Sequence, residues 1–219
     1  MAKNPIKELL KKIFYKCAIE SLHSANRQMG RLGTIEKISS IVPNIGDQYS
    51  TWKFETSNTY DVIKIRSIHA FQVELALDAL KTIRSQSAKN ALSVVDIGDS
   101  SGTHTRYLKE LCSELDMGQV EFLSVNLDSD AVERIVAKGG RAIQARAEDL
   151  HQAAGYQKHP DLYLSFQTLE HLFDPISCLR DLAVETPTEY FVITVPFLKR
   201  SRVGLKHLRK PGSARRFKE

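Results

Sequence analysis

One stretch of this 219-residue chain gathers the residue types that let a backbone hold a small polar ligand. Asp96-Ile97-Gly98-Asp99-Ser100-Ser101-Gly102 closes an apolar run that begins at Ala91 and leads into a segment of helical periodicity. Small residues allow close approach of the main chain, and the first turn of a helix offers free N–H groups. The spacing is not G-x-G-x-x-G, so a dinucleotide site is a poor fit. A tight strand–helix turn with no ligand would show the same composition.

Further groups of polar residues stand where later strands should end. Phe122-Leu123-Ser124-Val125-Asn126-Leu127-Asp128 places Asn126 thirty positions after Asp96, the length of a helix and a strand. Ala147-Glu148-Asp149-Leu150 follows, then Asp161-Leu162-Tyr163-Leu164-Ser165-Phe166-Gln167-Thr168-Leu169-Glu170-His171-Leu172-Phe173-Asp174-Pro175, then Phe191-Val192-Ile193-Thr194-Val195-Pro196. In this order the segments resemble the motifs of class I S-adenosylmethionine-dependent methyltransferases, most of all the type-11 and ubiquinone-biosynthesis-type members. The first segment is similar to their D/E-x-G-x-G-x-G loop, with Asp96, Gly98 and Gly102 matching and Ser100 in place of the middle glycine. The long segment is similar to their run ending L-E-H-x-x-D-P. The resemblance covers residues 91–196, about half the chain.

The resemblance implies S-adenosylmethionine as cofactor and S-adenosylhomocysteine as product. It implies that Asp96, Gly98, Asp99, Ser100 and Gly102 lie under the methionine part. The family's acid at the end of the second strand holds the ribose; here Asn126 takes that place, with Asp128 as the other candidate or as the N-cap of the next helix. Leu127 would pack on the adenine face, Ala147 and Glu148 would meet the adenine edge, and Gln167 would border the cofactor. An amide at 126 can bond a diol, but without the charge-assisted bond of a carboxylate.

The donor is already activated, so the protein must align the acceptor, exclude water and sometimes take a proton. No metal is required. His171 follows the fourth expected strand and is the leading base candidate, with a structural role at the loop–helix junction as the alternative. His104 reads as a helix cap that could instead face the cofactor, His69 as a satisfied core histidine that could instead close over the pocket, and Arg66 as a candidate partner for the cofactor carboxylate. Tyr60 and Trp52 could shape an acceptor pocket or simply pack.

Positioning these residues takes strand–helix alternation. Strands are expected at 91–97, 120–125, 141–145, 161–166 and 189–195, and helices at 103–115, 131–138 and 175–184 with Asp174 as N-cap and Pro175 at the first helical position. Short loops between them predict an α/β, Rossmann-like, mostly parallel sheet flanked by helices. A helical cap should precede it: residues 1–88, the cofactor-binding domain at 89–196, and a basic tail at 197–219. Ile6, Leu9, Leu10, Ile13, Phe14, Cys17, Ala18 and Leu22 recur at helical spacing, a stripe that packs on its own domain or lies on a membrane surface. A second helix is expected over 60–85, with 30–60 irregular between them. The family's two closing strands are absent, which points to a truncated form or to completion by another chain. A second copy, or the Ile6–Leu22 helix, should cover the strand at 189–195, whose two faces both read as buried.

The net charge of +5 belongs to the tail, whose nine Lys/Arg face one acid; residues 1–196 carry −3. Nucleic acid is therefore a poor partner for the domain. No apolar run could span a bilayer, and Cys17, Cys112 and Cys178 are widely spaced, as in a reduced cytoplasmic protein without disulfides or zinc. These readings favour a small-molecule or glycan O- or N-methyltransferase. The alternative is a catalytically weak methyltransferase-like binding or scaffold protein, motivated by Ser100, Asn126 and the missing strands.

Overall fold

The computed structural model describes residues 5–45, 59–156 and 159–196. Helices α1 (Pro5–Gln28), α2 (Leu32–Ile41) and α3 (Thr59–Gln86) precede an alternation of β1 (Ala91–Ile97), α4 (Thr103–Glu114), β2 (Gln119–Asn126), α5 (Ser129–Ala137), β3 (Ala142–Gln144), β4 (Leu162–Phe166), α6 (Pro175–Glu185) and β5 (Phe191–Thr194). The strands form one sheet in the order β3-β2-β1-β4-β5, with every pair parallel. This is the expected Rossmann-like α/β architecture. The chain leaves β1 towards β2 and β3, then returns to the other side of β1 for β4. That reversal opens a crevice at the carboxyl ends of β1 and β4, where open parallel sheets bind ligands.

Side-chain alternation divides the core into two layers. Leu92 and Val94 of β1 and Leu162 and Leu164 of β4 point to one face, where they meet Val73, Ala76 and Leu80 of α3 and Tyr107 and Leu108 of α4. Val95, Ile97 and Tyr163 point to the other, against Leu150 and against Cys178 and Leu182 of α6. Helix α3 thus shares one core with the sheet, and the caps of α6 are as expected: Asp174 accepts from the Ser177 N–H beside Pro175 at the first position.

Three expectations are corrected. Residues 30–60 are not irregular throughout: Ile35, Ile38 and Ile41 carry helix α2, with Ile38 fully buried against the α3–α4 core, and Gly33 and two serines had hidden that period. The stripe Ile6, Leu9, Leu10, Ile13 and Phe14 does not pack on the domain; all five are exposed, because α1 meets α3 through a different face. Helix α1 therefore does not cover β5. Helix α3 lies against β5 instead, and Gln72 Nε2 donates to Thr194 Oγ1 at 2.9 Å. Neither face of β5 is fully buried: Phe191, Val192 and Thr194 are half-buried and Ile193 reaches solvent. Among the described residues β5 pairs with β4 alone.

Candidate functional site

A cleft of about 290 Å³ sits at the β1/β4 crevice, roofed by α3. Its floor is the loop after β1. Gly98 and Gly102 both adopt left-handed backbone there, with φ +87° and +76°. A Cβ on Gly98 would stand 2.2 Å from Thr168 Oγ1, so this glycine lets the loops after β1 and β4 touch. A Cβ on Gly102 would press on Ile135 of α5 at 3.1 Å.

The two acids of the loop have different fates. Asp99 is buried and receives the N–H groups of His104 and Thr105 and the hydroxyls of Thr105 and Ser124, at 2.7–3.4 Å. These bonds hold the first turn of α4, whose N-cap position is Gly102, from three residues upstream, where the helix dipole also favours a negative charge. Asp96 is just as buried, yet its Oδ2 has no hydrogen-bond partner. Burial first, and the nearby Asp99 second, push its carboxyl well above the usual carboxylate range. Among the described residues, ligand atoms of Asp96, Asp99 and His104 form the one group of three within 4.8 Å. Asp99 is already committed to four donors, so Asp96 is the open end of that group.

Two histidines complete the cleft. The His69 and His104 rings lie with centroids 4.6 Å apart, and His104 also meets Phe166 at 4.7 Å. His104 Nε2 is 2.9 Å from Gln72 Oε1. His104 is not a side-chain cap: it lends the cap its backbone N–H and turns its ring to the cleft. Nor is His69 a satisfied core histidine, since its buried Nδ1 has no partner. Burial, then His104 and Arg66, hold His69 well below the ordinary histidine value; burial also lowers His104, against the pull of Asp99. Burial thus favours the uncharged form of both rings. Sequence spacing could not join residues 35 positions apart, but Gln72, one turn beyond His69 on α3, was a readable sign.

The other expected residues fall as follows. His171 sits at the cleft mouth with its side chain exposed, Nε2 3.9 Å from Glu170 Oε1. Gln167, at the rim, has φ +57° and an exposed side chain. Asn126 lies beside the loop: its Nδ2 donates to the Ser100 carbonyl at 3.3 Å and its Oδ1 accepts from the Asp128 N–H at 3.1 Å. Asp128 caps α5 by accepting from the Asp130 N–H. Leu127 is exposed, Ala147 is buried in the second core layer, and Glu148 pairs with Arg146 at 3.5 Å. Arg66 is buried, and its guanidinium donates to the Ile38, Val42 and Pro43 carbonyls and to the Tyr107 hydroxyl. Tyr60 packs on Tyr15 of α1, and Trp52 lies outside the described residues.

A larger hollow of about 660 Å³ opens over β2 between α4 and α5. Exposed Arg106, Lys109, Glu110 and Arg141 line it, and it holds none of the unpartnered buried atoms. Two unpartnered buried atoms, His69 Nδ1 and Asp96 Oδ2, belong instead to residues that line the smaller cleft.

No family model matches the chain, and no curated protein does. Among solved structures it is similar to the YcgJ protein of Bacillus subtilis, at 18% identity over 53% of this chain and 50% of that one, with a TM-score of 0.37. It is similar to a SAM-dependent methyltransferase from Aquifex aeolicus, at 14% identity over 57% and 68%, TM-score 0.39. It is also similar to coclaurine N-methyltransferase bound to N-methylheliamine and S-adenosylhomocysteine, at 14% identity over 82% and 60%, TM-score 0.42. The chain spans about half to two thirds of the length of these structures.

Proposed function

We propose that this chain binds S-adenosylmethionine in the β1/β4 cleft and is a methyltransferase for a small-molecule or glycan oxygen or nitrogen acceptor. The observation that carries the reading is the Asp96 carboxylate, buried, unpartnered at Oδ2 and crowded by Asp99. A buried carboxylate without a donor is costly, so its natural complement is a ligand that brings N–H donors and positive charge. The α-ammonium of S-adenosylmethionine brings both, and the motif resemblance names the same cofactor independently. When bound, that cofactor supplies a methyl group activated on a sulfonium centre.

The chain's own residues do the rest. Asp96 receives the ammonium, and the backbone of Gly98 to Gly102 borders the methionine part. Asn126 or Asp128 holds the ribose, Leu127 with Ala147 and Glu148 frames the adenine, and Gln167 closes the rim. His171 stands at the mouth, free to take an acceptor proton, while the His69–His104 pair lies deeper and shields the cleft from water.

Calorimetric titration with S-adenosylhomocysteine tests this. The parent chain should bind, and Asp96→Asn, correctly folded by circular dichroism, should bind at least about tenfold more weakly, the loss of one charge-assisted bond. One observation favours a second reading, a methyltransferase-like scaffold: the Asn126 amide has both its ends taken up within the fold. A parent chain that gives no heat with S-adenosylhomocysteine would select that reading.

A further inference from the structure

The structure assigns helix α1 a role of its own: we infer that its outer stripe is a docking surface for an anionic lipid bilayer. The helix has two apolar faces. One, with Tyr15 and Asn26, packs on α3: the Tyr15 and Tyr60 rings lie 5.7 Å apart, and Asn26 Nδ2 donates to Ser67 Oγ at 2.8 Å. At 100° per residue, Ile6, Leu10, Ile13, Phe14 and Cys17 fall on the opposite side, with Leu9 at their margin. The five large side chains of this stripe are each 51–67% exposed. A fold that has already satisfied the helix on one face has no use for a second hydrophobic face pointing at water.

The charges beside the stripe say what it faces. Lys7 lines one margin and Lys12 and Lys16 the other; Lys11 lies over the Tyr15 ring at 5.9 Å and Glu8 on the packed side, and the one acid on the outer side, Glu20, lies beyond the stripe's C-terminal end. Long lysine stems lie along an apolar stripe and lift their ammonium groups to the level of lipid phosphates. An apolar face between two basic margins is the pattern of a helix lying in the plane of an anionic interface. A second copy of the chain fits badly, because a two-fold contact would bring lysine margins against lysine margins. The basic residues of 197–219 make that segment an equally poor cover. No helix among the described residues is long and apolar enough to cross a membrane, so the contact would be peripheral.

The experiment is sedimentation of the full chain with vesicles of phosphatidylcholine alone or mixed with phosphatidylglycerol. The parent should sediment with the mixed vesicles and stay in solution with the neutral ones. The double variant Leu10→Ser/Ile13→Ser keeps the net charge and alters exposed positions, so it should fold as the parent does and partition at least about tenfold less. A polarity-sensitive dye on Cys17, which is exposed while Cys112 and Cys178 are buried, should shift to the blue on the mixed vesicles. Three results overturn the inference. They are no binding by the parent, binding that survives the double variant (attraction by basic residues alone), and self-association of the parent without lipid that the double variant abolishes.

Discussion

Arg66, on α3, and Asp96, across the cleft from it, are both buried ionisable groups, but they live in opposite circumstances. The Arg66 guanidinium donates to the Ile38, Val42 and Pro43 carbonyls and to the Tyr107 hydroxyl. A cation is thereby set against the carbonyl end of α2, where the helix dipole favours it, and three helices are stapled at one point. One turn along the same helix, His69 Nδ1 has no partner, and across the cleft neither has Asp96 Oδ2. Buried polar groups are almost always bonded. The satisfied cluster is architecture, and the unsatisfied one is where the proposed cofactor would complete the bonding.

The contrast can be broken by mutation. Arg66→Ala strips bonds from three carbonyls and a buried hydroxyl, and should cost about 3 kcal/mol of unfolding free energy by urea titration. S-adenosylhomocysteine affinity should persist in whatever fraction folds; a selective loss of affinity would place Arg66 in the site after all. Gly98→Ala comes next. Sequence reasoning reserves that glycine for ligand approach, whereas its missing Cβ makes room for Thr168. The substitution should cost about 2 kcal/mol from overlap and left-handed strain, and Thr168→Gly in the same chain should recover the overlap part. No recovery would mean that the backbone angle alone demands glycine.

Asp96→Asn should act with the opposite sign. Removing a desolvated charge next to Asp99 should stabilise the ligand-free protein by about 1 kcal/mol while weakening cofactor binding. The sign follows from linkage. Because the folded-state carboxyl titrates above its unfolded value, the folded form keeps a proton that the unfolded form has lost, so stability falls as pH rises through that interval. Chemical denaturation from acid to neutral pH should show this decline in the parent and a flatter profile in Asp96→Asn. If Asp96→Asn is instead the less stable protein at neutral pH, the carboxylate is structural and the comparison with Arg66 fails.

Much of this was legible in the sequence because the local and global signals agree. The apolar runs at 91–97 and 161–166 are bounded by Asn90 and Gly98 and by Pro160 and Gln167, and β1, β4 and α6 lie within a residue or two of their expected limits. Asp128 and Asp174 announced their helices by residue type. What stayed hidden depends on contacts far apart in the chain. Nothing local says that Asp99 rather than Asp96 finds its donors, since those include Ser124 on the next strand. Nor could the pattern of α1 reveal which of its two apolar faces α3 would take.

The smallest expected effect is also the one whose expected gain the structure cancels. From sequence, Asn126→Asp restores a carboxylate at the end of β2 and should tighten ribose binding. In the fold, the Asn126 amide adds a side-chain tie from β2 to the loop beside the Gly98 N–H to Val125 carbonyl bond: Nδ2 donates to the Ser100 carbonyl, while Oδ1 takes the Asp128 N–H. An aspartate keeps the second bond, loses the first and turns an anion towards a carbonyl oxygen. The ligand-free protein should lose about 1 kcal/mol, the worth of that bond. A ribose diol could return a similar amount through a charge-assisted bond, so affinity should stay within a few-fold of the parent instead of rising tenfold. Asp128→Ala separates the two candidates. It removes the cap of α5, at a cost of about 1 kcal/mol, and should leave S-adenosylhomocysteine affinity intact. A collapse of affinity in Asp128→Ala, with Asn126→Asp unaffected, would move the ribose contact to Asp128. A tenfold gain in Asn126→Asp would show that its tie to Ser100 yields to the ligand.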